Sequence, residues 1–180
     1  MKKGLVSGLV LLIIGIVCGA LLAGINALTA PIIKANADQK VLDSLKDVYP
    51  NSSNYNLDTI EEDGDVSTLF VLSDKTSGDT VAIIYSVSAY GYQSDVSMLI
   101  AVEKNSENQL LVVGYTVVSQ GETSGIGDQI VGHDFKMDGK VITDLATFDA
   151  VSGASYSSGA VRTCFESVGS RAQDDFGGAN

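Results

Sequence analysis

The pattern of apolar and polar positions divides the chain near residue 34. From Gly4 to Ile33 no side chain is charged. Within that run, Leu5 to Leu28 would span roughly 36 Å as a helix at about 1.5 Å per residue. A hydrocarbon core of about 30 Å is covered, with some tilt. A cleavable leader has an apolar stretch of only about 7–15 residues, so the pattern predicts an uncleaved transmembrane anchor. Gly8, Gly15, Gly19 and Gly24 recur along it, and Gly15 to Gly19 is a small-xxx-small pattern suited to packing against another membrane helix. Lys2 and Lys3 precede the run and Lys34 follows it, which places the N-terminus in the cytoplasm and the remainder outside.

Beyond the anchor the period changes. Val41, Leu42, Leu45, Val48 and Tyr49 form a helical stripe within Ala35 to Tyr49, stopped by Pro50. Asn51 to Val66 is polar and acidic, and Glu61 to Asp65 reads as a solvated turn because the ligand spacing of a calcium loop is missing. Strands are then predicted at 67–73, 81–90, 97–103 and 110–118, with a last one at 141–148. Val81 to Tyr85 is apolar without a break, as in a strand buried on both faces, whereas Ser86 to Ala89 alternates. The polar turn Lys104 to Asn108 makes an antiparallel hairpin of the two strands around it. Val161, Cys164, Phe165 and Val168 mark one face of a final helix. The expected fold is α+β: a mostly antiparallel sheet with flanking helices, preceded by one N-terminal transmembrane helix. The expected division is 1–34 for the cytoplasmic N-terminus and anchor, and 35–180 for an extracytoplasmic domain.

Charge narrows the function classes. The formal net charge is −11, and all 22 acidic residues lie beyond Ala35. Such a domain repels phosphate backbones, so nucleic acid is an unsuitable partner. Two cysteines are too few for a disulfide framework, and Cys18 and Cys164 lie in different parts of the chain. His133 is the only histidine, which leaves no convincing zinc site or Ser-His-Asp triad. It reads as a surface or helix-end residue.

Two stretches carry candidate chemistry. Gln120 to Gly127 is glycine-rich, and Gly121, Gly125 and Gly127 would let backbone approach a flat ligand closely. Glu122 and Thr123 bring hydrogen-bonding groups to the same loop. The second stretch, Asp149 to Ser158, opens the last helix with small and hydroxyl-bearing residues. A helix N-terminus with free N–H groups suits an anion such as phosphate. An ordinary helix start capped by serine is the plain alternative. Tyr85, Tyr90, Tyr92, Tyr115 and Tyr156 could pack beside a flat ring, while most of them are expected in core or strands.

Asp149…Ser152-Gly153-Ala154-Ser155 resembles the flavinylation motif of the FMN-binding domain family, Asp followed by Ser/Thr-Gly-Ala-Thr/Ser. Glu122-Thr123-Ser124-Gly125-Ile126-Gly127 resembles that family's Glu-Thr-Pro-Gly-Leu-Gly loop, with Ser124 for Pro and Ile126 for Leu. Gly91-Tyr92 matches a third, minor signature, although Ser94 stands where the family often has a second glycine. The family includes the G subunit of Rnf-type ion-translocating oxidoreductases, which this chain resembles most, and the C subunit of the sodium-pumping NADH:quinone reductase.

The resemblance implies FMN joined through its phosphate to the hydroxyl of Ser155, where the family more often has Thr. It implies that Glu122, Thr123, Gly125 and Gly127 line the ring or ribityl chain. Ser152 and Ser157, with Gly153 and Ala154 between and beside them, would hold the phosphate end. Asp149 would be recognised by the flavin transferase, which in the family uses FAD and magnesium. Ser155 would then be an attachment point without a catalytic role. The other implied partners are the membrane and the remaining subunits of an Rnf-type complex. Two other readings stay open at this level: a free-standing flavinylated carrier for an extracellular reductase, and a cofactor-free membrane-anchored binding module.

Overall fold

The computed structural model of the protein describes residues 2–177. Helix α1 (Lys2–Val48) is followed by strands β1 (Asn56–Glu61), β2 (Val66–Ser73), β3 (Thr80–Tyr90), β4 (Asp95–Lys104) and β5 (Leu110–Ser119), and finally by helix α2 (Ser155–Gly177). By its contacts the chain falls into two units, Met1–Lys40 and Val41–Asn180. The first is helical throughout its described length. Its segment Val6–Ile33 has a mean hydropathy of 2.8 and is long and apolar enough to cross a membrane. Pro31 lies inside α1, where it removes one N–H donor without ending the helix. The side chains of Lys2, Lys3 and Lys34, on which the expected orientation rests, lie outside the described residues.

In the second unit the five strands form one antiparallel sheet in the order β1-β2-β3-β4-β5, each paired with its chain neighbour. The fold is the expected α+β class. The uninterrupted apolar run in β3 has a direct cause, because both faces of the sheet are covered. Ile83, Tyr85 and Val87 turn to one face, where Val161, Cys164, Phe165 and Val168 of α2 meet them in the larger core. Ala82 and Ile84 turn to the other, where Leu45, Val48 and Tyr49 pack with Phe70, Leu72 and Leu99. The alternation continues in β4, with Met98 and Ile100 on the first face and Leu99 and Ala101 on the second. The stripe predicted between Ala35 and Tyr49 thus ends as a core element of the second unit.

Two expectations about strands change. Asn56–Glu61, expected within a polar loop, is instead the edge strand β1, paired with β2 from Asn56↔Ser73 to Glu61↔Thr68. Every residue of it is exposed, so ladder hydrogen bonds hold it and no apolar alternation marks it. The predicted strand at 141–148 shrinks to a single bridge, Leu111↔Val141. Val112 and Ile142 tie this segment to β5 through Val112 N–H to Lys140 O and Ile142 N–H to Leu110 O. Asp144 then turns the chain, with its carboxylate accepting the N–H of Ala146 at 3.1 Å and its own N–H bonded to Val141 O. An aspartate that closes its own local turn competes with strand pairing.

Candidate functional site

Three segments converge at the first turn of α2. They are the β3–β4 turn at 91–94, the glycine-rich loop after β5, and the turn at 151–154 that leads into Ser155. Glu122 fastens them together. It is only 8% exposed. One carboxylate oxygen accepts the N–H groups of Gln93 and Ser94, each at 3.0 Å. The other accepts the N–H of Tyr92 at 3.0 Å and the hydroxyl of Ser157. Burial by itself would raise this carboxyl's pKa, but the Ser157 hydroxyl and the three N–H groups outweigh it and hold it at about 2, down from 4.5.

A pH dependence follows from the sign of that shift. A carboxyl whose folded pKa is depressed binds fewer protons folded than unfolded, so its contribution is whole above about 4.5 and fades as the pH falls toward 2. Unfolding curves of the wild type and Glu122→Gln are expected to converge across that window and to run parallel above it. A stability gap that stays constant down to pH 2 would contradict this.

The glycines of the site serve Glu122. A Cβ on Gly91 would lie 2.7 Å from its Oε1, and one on Gly127 would lie 2.7 Å from both Glu122 Cβ and Ser157 Oγ. The space that a Cβ of Gly127 would take is therefore occupied by Glu122 and Ser157. Gly125 has φ +77 and makes a left-handed turn, with its N–H bonded to Asp128 at 2.8 Å. The carbonyl of Thr123 accepts the N–H groups of Ile126 and Gly127, which closes the loop.

At the start of α2 the expected capping differs in detail. The helix begins at Ser155, so the position before it is Ala154, which has no side-chain oxygen to offer. Ser158 acts from inside the helix, its buried hydroxyl accepting the N–H of Val151 at 3.0 Å. Gly153 takes φ +84 to make the tight turn into the helix. The first N–H groups of α2 have no acceptor within the helix, and its dipole places partial positive charge there. Ser155 is exposed at this end.

A cavity of about 330 Å³ opens here. Glu122, Thr123 and Gly127 contribute to its lining from the loop, and residues 153–157 contribute from the turn and α2. Gly125, Ser152 and Asp149 do not line it. The proton of Ser157 is committed to Glu122, so its hydroxyl is not free to donate to a phosphate. Asp149 is exposed, its N–H bonded to Phe135 O at 3.0 Å. The carbonyl of Asp149 lies 3.0 Å from His133 Nε2. A carbonyl can only accept, so Nε2 is the nitrogen that carries the proton. His133 thus positions the backbone of Asp149.

Of the tyrosines that could pack beside a flat ring, Tyr92 and Tyr156 line the cavity, and so does Ile126, which was not among the residues expected. Tyr85 is fully buried in the core as expected, but Tyr92 and Tyr156 are 65% and 73% exposed. Ile126 stood out as an apolar residue between two glycines, outside any helical or strand period. Among the described residues no group of three or more His, Cys, Asp or Glu side chains is placed to hold a metal ion. The arrangement suits a ligand with an anionic end for the helix N-terminus and a flat, largely apolar body for the cavity.

Residues 91–168 match the FMN-binding domain family, and residues 1–48 match the RnfG N-terminal region. The chain is 30% identical to the G subunit of the ion-translocating oxidoreductase complex of Cereibacter sphaeroides, covering 87% of this chain and 78% of that one. It is 24% identical to the G subunit of the Methanosarcina acetivorans complex, over 84% of this chain and 85% of the other. With the G subunit of the Vibrio cholerae complex the identity is 26%, over 86% and 83%. Among solved structures, the crystal structure of Shewanella oneidensis NqrC aligns with a TM-score of 0.45 at 23% identity, over 60% of this chain and 61% of that one.

Proposed function

Because the chain belongs to the family of G subunits of ion-translocating oxidoreductase complexes, with an FMN-binding domain in its second half, we propose that it is the electron-transfer subunit of an Rnf-type complex, carrying FMN on Ser155. The observation that carries this reading is the placement of Ser155. Its exposed hydroxyl stands on the first residue of a 23-residue helix, beside a cavity large enough for a flat ring system.

Bound there, FMN would supply the redox chemistry, accepting and passing on electrons. The protein's part is attachment and placement. In loading, the Ser155 Oγ–phosphorus bond forms as the pyrophosphate bond of FAD breaks. AMP leaves, the hydroxyl proton is released, and a flavin transferase with magnesium performs the step. The phosphodiester keeps one negative charge, which the free N–H groups and dipole of α2 stabilise. Gly153 and Ala154 keep the approach to Ser155 free of bulk, Ser152 lies exposed beside the phosphate end, and Asp149 is exposed for recognition by the transferase. Glu122, Thr123, Gly125 and Gly127 shape the cavity through the loop they form. A covalent tether also keeps the flavin at hand at any dilution.

Val6–Ile33 is the membrane anchor in this reading. Residues 1–34 are the cytoplasmic end and anchor, and 35–180 form the extracytoplasmic domain. The two lysines before the span against one after it support that orientation. The other subunits of the complex are its partners in this reading.

The test is to produce the full chain together with a flavin transferase and to locate flavin by peptide mass spectrometry. We expect the FMN-phosphoester mass on the peptide containing Ser155, its complete loss in Ser155→Ala, and its retention in Ser155→Thr, which keeps the hydroxyl. An unmodified peptide, with a control protein flavinylated in the same cells, would overturn the covalent assignment.

A further inference from the structure

Tyr92 and Tyr156 come from different segments, the β3–β4 turn and the first turn of α2. Their ring centroids are 5.8 Å apart and their planes tilted by 48°. Both are exposed by about two thirds or more, and Ile126, 51% exposed, shares the same cavity. Large apolar side chains that converge while open to solvent mark a binding surface. Among the described residues neither tyrosine hydroxyl has a hydrogen-bond partner, in contrast to Tyr90, whose hydroxyl bonds to Gln93 O at 3.3 Å. Among the described residues the fold therefore makes no use of these two hydroxyls.

Their spacing limits what they can do. To admit a third ring between them, two rings need about 7 Å, twice an aromatic contact of about 3.5 Å. At 5.8 Å they form one wall rather than a slot. A group tethered at Ser155 would lie beside this wall, because Tyr156 is the next residue in the chain and both line the cavity. To dock there it must be flat and apolar enough to stack, and the isoalloxazine ring has that chemistry. The single carboxylate in the cavity lining is turned inward, with its oxygens accepting four hydrogen bonds, so it leaves the wall free of a competing polar contact.

We propose that Tyr92 and Tyr156, with Ile126 beside them, form the wall on which the flavin ring docks, making them the residues that position the ring after Ser155 has been loaded. This rests on the reading that Ser155 carries FMN. Glu122 then has an indirect part, since it holds the N–H of Tyr92 and the hydroxyl of Ser157 and so fixes the two segments that bear the rings.

The test uses the full chain, loaded by the transferase and held in detergent, with Tyr92→Leu, Tyr156→Leu, the double variant, and the two Tyr→Phe changes. Mass spectrometry of the Ser155 peptide reports loading, and flavin fluorescence anisotropy reports docking, because a docked ring tumbles with the protein. Exposed substitutions of this kind leave folding nearly unchanged. Each Leu variant is expected to retain FMN on Ser155 while its docked-to-released ratio falls about fivefold, lowering the anisotropy, and the double variant to fall further. The Phe variants keep a stacking face and are expected to keep the anisotropy of the wild type. Unchanged anisotropy in the loaded double variant would overturn the wall. So would Leu variants that are no longer loaded, which would assign the tyrosines to the transferase instead. Absence of FMN from wild-type Ser155 would overturn the attachment itself, and the wall with it.

Discussion

Glu122→Ala is expected to destabilise the domain by about 2–4 kcal/mol, a sum over donors stripped of a shared buried acceptor and partly re-satisfied by water. It is also expected to cut flavin loading at Ser155. Among the described residues the carboxylate is the sole acceptor for the N–H groups of Tyr92, Gln93 and Ser94, and it takes the hydroxyl of Ser157 as well. Truncation leaves those donors facing a hole between the β3–β4 turn and α2. Glu122→Gln separates charge from shape. Its amide carbonyl can replace the oxygen that accepts Gln93 and Ser94, while its NH₂ must then face Tyr92 N–H and Ser157. The serine hydroxyl can rotate to accept, but Tyr92 N–H cannot, so one donor is orphaned at a cost of about 1–3 kcal/mol. Chemical unfolding of the three proteins at pH 7, alongside the yield of modified Ser155 peptide, checks the order wild type, Gln, Ala. Equal stability of Ala and wild type would show that the carboxylate does not hold the segments together.

Glu122 also shows where sequence reading succeeds and where it stops. The motif around it marked the loop as part of the site, and the loop does lie at the start of α2. Its role was not legible, because the donors that neutralise its burial come from residues about 30 positions earlier and from Ser157, 35 positions later. The same holds for the glycines. Gly127 lines the cavity, but its sequence context does not show that its missing Cβ also makes room for Glu122 and Ser157. By contrast, the hydrophobic face of α2 and the hairpin of β4 and β5 were readable, since period and turn chemistry are local. β1 was not, because an edge strand with every residue exposed has no apolar pattern to show. The strand expected at 141–148 failed for the opposite reason: apolar residues are present there, but Asp144 closes a turn that the period does not reveal.

Gly114→Ala is the substitution expected to cost the fold most, about 3 kcal/mol or more. In the sequence, Gly114 is one residue of the β5 run and carries no signal. In the structure a Cβ there would lie 2.1 Å from the carbonyl oxygen of Val48, at the last residue of α1. That neighbour is backbone and cannot swing aside, so either β5 or the end of α1 must move. Leu45, Val48 and Tyr49 are buried in the smaller core, and Tyr49 also bonds through its hydroxyl to Glu103. Displacing the helix end exposes all three. Gly121→Ala is the control, since its Cβ would meet only the side chain of Ser94, at 3.1 Å from Oγ. Thermal unfolding is expected to show a large drop for Gly114→Ala and a small one for Gly121→Ala, with protease cleavage near Tyr49 accelerated only in the former. Because Gly114 meets Val48 on the sheet face opposite α2, flavin loading in the folded fraction is expected to persist in Gly114→Ala. In Glu122→Ala the pattern reverses, with the smaller core intact and loading impaired. Similar midpoints for Gly114→Ala and wild type would mean that the last turn of α1 is not seated against β5.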